Sequence, residues 1–115
     1  MKIDQFEDIV AWQKSKSLSI KIYTIFKNLK DFGFKDQICR ASVSVMNNIA
    51  EGFERKSDTE FTHFLFIAKS SCGEVRSMIH LAFELGYLSR EDYQYLLNLS
   101  SEISKIISGL IKSLN

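Results

Sequence analysis

Glu60-Phe61-Thr62-His63 sets a carboxylate and an imidazole one helical turn apart, which is half of the ligand set that a carboxylate-bridged di-iron bundle draws from its helices. Such a centre needs a second E-x-x-H element and two further inward-facing glutamates. Three residues before His80, the only other histidine, stands Ser77. A metal-binding helical bundle enzyme is therefore a distant alternative, and no metal or cofactor is expected. A glutamate in the first turn of a helix beside a surface histidine accounts for the pair more simply. Nucleophilic chemistry has no better footing. Serines are plentiful, but none lies in a G-x-S-x-G turn, and neither histidine has a signature pairing it with Cys39 or Cys72. The chain reads as a non-enzyme.

A second chemistry-bearing stretch is Asn47 to Phe61, NNIAEGFERKSDTEF. At 100° per residue, Arg40, Ser44, Asn47, Asn48, Glu51 and Arg55 share the side of a helix that faces away from its apolar residues, with Glu51 and Arg55 spaced for an i,i+4 ion pair. His63, Ile67, Ser70 and Glu74 form a second mixed stripe on the next helix. Both stripes can be solvated faces. The sharper reading is that they meet another surface, either each other or a second subunit, with Arg40, Glu51 and Glu74 in a partly buried charge network. The small residue, glycine and capped second helix in this stretch also suggest helix-turn-helix DNA binding as an alternative function. A recognition helix must present polar side chains to base edges. The cap is instead followed by Phe61, Phe64, Leu65 and Ile67, which a core helix requires.

The elements that position these residues are helices. With no proline and five glycines in 115 residues, the chain has few strong punctuators and hence few turns. The first helix is expected to start at Asp4, with Glu7 completing an acidic capping box, and to run to about Lys30 with Ala11, Leu18, Ile22, Ile25, Phe26 and Leu29 on one face. Asp31-Phe32-Gly33 reads as its stop. The second spans about Phe34 to Phe53, with Ile38, Ala41, Val45, Ile49 and Gly52 in a stripe; Gly52 reads as relaxing the following corner. Ser57-Asp58-Thr59-Glu60 is the clearest capping box, opening a third helix with the apolar run Phe61, Phe64, Leu65, Ala68, Cys72, Val75, Ile79, Ala82 and Phe83 and ending at Gly86. Ser89 caps the fourth, where Leu96, Leu99, Ile103, Ile106, Leu110 and Leu114 recur to the C-terminus. Short connections leave antiparallel neighbours as the compact solution. The expected fold is all-α, an antiparallel up-down-up-down four-helix bundle forming a single domain over residues 1–115.

The first helix also carries Ile9, Trp12, Ile20 and Tyr23 on the side opposite its core stripe, by the period of about 3.6 residues. A bundle helix fills its own core with one apolar face, so a second containing Trp and Tyr suggests a subunit interface. Lys14, Lys16, Lys21, Lys27 and Lys30 have no acidic residue between them and are candidate nucleic-acid contacts, although they divide between two sides of the helix. Residues 1–56 hold ten Lys/Arg against seven Asp/Glu and residues 57–115 five against seven, for a net charge of +1. That balance does not by itself mark a nucleic-acid-binding protein. No apolar run approaches the roughly 18–20 residues of a membrane span, and no signal peptide is readable. A cytoplasmic protein without membrane contact is expected, with Cys39 and Cys72 as small buried hydrophobes.

Phe6 with Val10-Ala11-Trp12-Gln13, then Gln37-Ile38-Cys39-Arg40-Ala41-Ser42-Val43-Ser44-Val45 leading into Asn48-Ile49-Ala50-Glu51-Gly52 and Arg55, then Phe64-Leu65-Phe66-Ile67-Ala68-Lys69-Ser70-Ser71 with Glu74, together resemble the bacterial four-helix bundle family, also named for proteins encoded in intervening sequences of 23S ribosomal RNA genes. The resemblance spans nearly the whole chain. It departs at Lys27 to Gly33, where related chains often carry proline and glutamate. The resemblance implies a ring-like homopentamer with no enzymatic activity. It also implies a polar signature of Arg40, Ser44, Asn48, Glu51, Arg55, Ser70 and Glu74, structural or partner-binding. A related accessory protein of diversity-generating retroelements is a basic pentamer acting with a reverse transcriptase, so RNA or a nucleic-acid-processing protein is an implied partner beside the chain itself. The expected function is a self-assembling helical bundle, an accessory or scaffold for RNA or nucleoprotein complexes.

Overall fold

The computed structural model describes residues 3–115. A 3₁₀ turn, Phe6–Asp8, precedes four α-helices: α1 (Val10–Ile25), α2 (Phe32–Phe53), α3 (Asp58–Glu84) and α4 (Arg90–Ser113). Among the described residues there is no strand. Each helix packs on its two neighbours in the cyclic order α1, α2, α3, α4, and the backbones of the diagonal pairs stand further apart. This is the antiparallel up-down-up-down bundle. Its long dimension of 43 Å is that of 24- to 27-residue helices rising about 1.5 Å per residue.

Three of the helix starts are chemically capped. Asp31 Oδ1 accepts the Phe34 N–H at 3.2 Å, Ser57 Oγ accepts the Glu60 N–H at 3.2 Å, and Ser89 Oγ accepts the Asp92 N–H at 3.0 Å. Each satisfies one of the donors that a helix leaves unpaired in its first turn. The exit of α3 is closed by Gly86, whose φ of 77° lies in the left-handed region that favours glycine. The Tyr87 N–H reaches back to Ala82 O at 2.8 Å and the Gly86 N–H to Phe83 O at 3.1 Å, the pair of bonds that defines a Schellman ending.

The first helix is shorter than expected at both ends. Asp4 caps nothing. Gln5 and Ile9 are extended and bracket the 3₁₀ turn, and no side chain caps either start. The break lets Ile9 turn inward, where it is 3% exposed. Phe6 meets Trp12 edge-on at 5.2 Å, and Gln13 Nε2 donates to the freed Glu7 carbonyl at 2.8 Å. At its other end α1 stops at Ile25, with Phe26 buried as the C-cap. Asp31-Phe32-Gly33 is then the beginning of α2 and not a stop: the Asp31 carboxylate starts the helix one turn ahead of the apolar stripe. Its other oxygen, Oδ2, accepts the Tyr87 hydroxyl at 2.7 Å. One aspartate thus joins the α1–α2 connection to the α3–α4 connection. That hydrogen bond holds the phenolic proton and pushes the Tyr87 pKa up.

Core residues come from all four helices, with Leu18, Ile22, Ile38, Val45, Ile49, Leu65, Val75, Ile79, Leu96, Ile103 and Ile107 fully buried. Interleaved with them are small residues the apolar period does not announce. Ser15, Ser19, Ser42, Ser100 and Ser104 are buried, and Cys72 Sγ donates to Ser100 O at 3.2 Å. Burial pushes the Cys72 thiol up to about 11 and raises that of Cys39 as well. Both cysteines are free thiols in apolar surroundings, the inert class.

Gly52 has a different role from the one expected. It lies inside α2, buried against α3, and a Cβ there would stand 2.6 Å from Phe64 Cβ and 3.1 Å from Phe61 Cδ1. Gly52 therefore lets two helix backbones approach, rather than relaxing the corner. Gly52→Ala gains about 1 kcal/mol of helix propensity but forces the packed α2–α3 contact apart, a strain of about 1–3 kcal/mol that the fixed Phe64 Cβ cannot relieve by rotating away. A net loss of stability in denaturant titration is expected, and a variant more stable than the parent would refute the close contact. Ala68→Leu, at a fully buried position, is expected to cost about 1–3 kcal/mol by the same overpacking.

Candidate interaction surface

The polar signature is distributed along the α2–α3 seam as separate small bonds, not as one charge network. Arg40 Nε pairs with Asp36 at 2.9 Å, with 80% and 64% of the two side chains exposed. Arg55 pairs with Glu51 at 3.3 Å, also in solvent. Glu74 Oε2 accepts from Gln37 Nε2 at 3.2 Å. Arg40, Glu51 and Glu74 therefore do not form a buried triad, because the i,i+4 spacing on α2 supplies each cation with its own local, hydrated partner. The cohesive part of the signature is uncharged. The Ser44 and Ser71 hydroxyls bond each other across the seam at 2.8 Å, and Asn48 Nδ2 donates to Ser44 O at 2.8 Å and to Ser44 Oγ at 3.0 Å. Ser71, which lies outside the polar signature, makes the contact; Ser70 beside it is exposed. Arg55 also lays its guanidinium over the Phe64 ring at 4.7 Å, closing the corner above Gly52.

Helices α2 and α3 run side by side, as the Ser44–Ser71 and Gln37–Glu74 bonds at two levels show. A helix-turn-helix instead crosses its helices at about 90–120° and leaves the second free to enter a groove. Here α3 buries Phe61, Leu65, Ala68, Cys72 and Val75, so the helix-turn-helix alternative is set aside. Glu60 completes the cap, its Oε2 accepting the Ser57 hydroxyl at 3.4 Å, and His63 rests edge-on against Phe64 at 5.8 Å. Among the described residues no three His, Cys, Asp or Glu side chains are grouped to hold a metal ion. Among the described residues no helix is long and apolar enough to cross a membrane.

The lysines of the first helix and its exit point to several partners. Lys14 pairs with Glu102 of α4 at 3.3 Å, and Lys21 stands over the Tyr95 ring at 5.1 Å. Lys16 lies over Trp12 at 5.5 Å. Lys27 and Lys30 fall beyond α1, where Lys27 O accepts Lys35 Nζ at 2.9 Å. The five do not form one basic face, since α1 turns Lys14 and Lys21 toward α4 and Lys16 toward α2.

The other predicted set divides. Ile9 belongs to the core, because the extended backbone at that position takes it out of the helical period. Trp12, Ile20 and Tyr23 line a groove of about 470 Å³ between α1 and α2, with Lys16, Ser19, Thr24 and Met46. Ile20 is 58% and Tyr23 52% exposed. Ser19 is distinctive. Ser15, Ser17 and Thr24 each donate to the carbonyl four residues back, whereas the Ser19 hydroxyl is buried without a partner. A second patch lies on the outer side of α3, where Phe66 is 53% and Ile67 37% exposed, bordered by His63, Ser70 and Glu74.

The fold and these surfaces define a small all-helical bundle whose uncovered features are shallow faces. A profile of the 23S rRNA-intervening sequence protein family matches residues 7–109, and the chain belongs to that family. A crystal structure of a protein of unknown function from the S23 ribosomal protein family of Bacteroides thetaiotaomicron is similar, with a TM-score of 0.84 and 30% identity over 90% of this chain and 99% of that one. No curated protein matches. Neither comparison indicates an enzyme family.

The division of the signature has a measurable consequence. Glu51→Ala removes one exposed i,i+4 pair and is expected to cost under about 1 kcal/mol, whereas Ser44→Ala removes the hydroxyl that bonds Ser71 across the seam and one of the two acceptors of Asn48 Nδ2, and is expected to cost about 1–2 kcal/mol. Thermal and urea unfolding of the two variants checks this, and the reverse order would reinstate a buried charge network.

Proposed function

We propose that the protein acts by self-association, as a non-enzymatic scaffold that forms a closed homo-oligomer, a pentamer by its sequence resemblance, in the cytoplasm. The observation that carries this reading is the α1–α2 groove, where Trp12, Ile20, Tyr23 and Met46 form a contiguous apolar lining open to solvent. Contiguous apolar patches with aromatic centres are what interfaces bury. The accessory role in RNA or nucleoprotein complexes rests on the family's association with 23S rRNA genes. It draws little support from the dispersed lysines, since affinity for a phosphate backbone grows with the number of cations brought to bear on it. Assembly with a nucleic-acid-processing protein suits the surface better than direct phosphate binding by one copy.

Light scattering at roughly micromolar concentration tests the proposal against the 13.3 kDa chain mass. A mass of several copies is expected. Tyr23→Ala or Trp12→Ala is expected to weaken assembly at least about tenfold with helical content unchanged, truncation of aromatic anchors costing about 2 kcal/mol or more. A parent that stays monomeric refutes the reading.

A further inference from the structure

Resting on the reading of the α1–α2 groove as the assembly site, we infer that the same groove is a binding site for a small amphipathic carboxylate, a single apolar chain of medium length ending in one anionic group, and that this ligand and a neighbouring subunit exclude each other. The apolar walls are of ligand size. Ile20, Tyr23 and Met46 belong to a lining that encloses about 470 Å³, within the roughly 300–1,000 Å³ of small-molecule sites. Lys16 and Thr24 bound the stretch of α1 that carries Ile20 and Tyr23. They are eight residues apart, about 12 Å at about 1.5 Å per residue. An extended chain of about ten carbons, by ordinary bond lengths, covers that distance.

The floor of the groove holds an unused donor. Ser19 lines it, is only 5% exposed, and has a buried hydroxyl with no partner. On the same helix Ser15, Ser17 and Thr24 each donate to the carbonyl four residues back. A buried donor left unpaired costs free energy until something supplies the acceptor, and a hydroxyl proton turns freely to meet one. A carboxylate oxygen is such an acceptor.

Charge selects the sign of the headgroup. Lys16 lines the groove one turn before Ser19, and residues three apart are neighbours on a helix surface, so its ammonium and the Ser19 hydroxyl can close on one carboxylate. Lys16 makes no ion pair among the described residues, and its ammonium stands over the Trp12 wall at 5.5 Å. No residue lining this groove is acidic. The hollows beside Tyr95, Phe53 and Phe66 each include an acid, Glu102, Asp58 and Glu74 respectively, and a fixed negative charge repels an anionic head. A chain seated on Ile20, Tyr23 and Met46 covers the apolar surface that a subunit contact needs, and hence the two occupants compete.

Trp12 is the only tryptophan of the chain and forms a wall of the groove, so its fluorescence reports occupancy directly. The full chain is titrated with decanoate, with decanol and decylamine as the neutral and cationic controls. A saturable change with decanoate is expected, half-complete below about 1 mM, with both controls at least about fivefold weaker. Lys16→Gln is expected to abolish the preference for decanoate over decanol. Ser19→Ala is expected to weaken decanoate at least about threefold while melting at or above the parent temperature, since it deletes an unpaired buried hydroxyl; a serine with only a structural role would lower the melting temperature and leave decanoate binding alone. In sedimentation velocity, saturating decanoate is expected to convert the oligomer to single chains. Equal responses to the three amphiphiles, an adventitious additive only, overturn the site, as does decanoate binding unchanged in both variants. An oligomer that persists when the Trp12 signal has saturated overturns the exclusion. A monomeric parent that binds decanoate with the expected dependence on Lys16 and Ser19 overturns self-association, and the exclusion with it, while the ligand site stands.

Discussion

The close approach of α2 and α3 at Gly52 is the constraint on which the rest of the bundle depends. Two helix backbones can come this near only where one of them lacks a Cβ, and the space is filled by the side of Phe64 and the edge of Phe61. Once the pair is drawn together at that end, Ser44 and Ser71 lie within hydrogen-bond distance further along, and Gln37 reaches Glu74 beyond them. Register along the seam is thereby fixed by small side chains and short polar bonds. An all-leucine contact would fill the same volume without specifying it.

Small residues recur wherever helices meet. The buried Ser15, Ser42 and Ser100 return their hydroxyl protons to their own helices, at Ala11 O, Cys39 O and Leu97 O, so the core takes in these polar groups at little cost. The Ser19 hydroxyl has no partner, and it lies beneath an apolar groove that no helix of the chain covers. An orphaned hydroxyl and an open apolar lining at the same place are two independent departures from a finished monomer surface.

What the surface offers is shape and apolar area, while its ionisable groups are dispersed. Arg40, Arg55 and Lys14 are each matched by one local acid, and the free thiols are buried with raised pKa values. Such an arrangement suits association of preformed surfaces.

The sequence by itself determined the helices and their order. Ser57 and Ser89 with the acids behind them, Gly86, and the apolar stripes on the last three helices are local signals, and each acts over a turn or two. The family assignment, too, was legible in the run from Gln37 to Arg55. The tertiary structure alone decided what those helices do to one another. Asp4 looked like a cap but gave way to a 3₁₀ turn because Ile9 gains more by entering the core. Asp31 became a start because its carboxylate also meets Tyr87, 56 residues away. Whether a polar stripe is a buried network or a row of hydrated pairs depends on the distance between helices, and that distance was set by the hydrogen that Gly52 carries in place of a side chain. Periodicity places a residue on a side of its own helix and says nothing of how near the next helix comes; for that reason the Ser44–Ser71 bond and the groove under Tyr23 emerged only when the helices stood side by side.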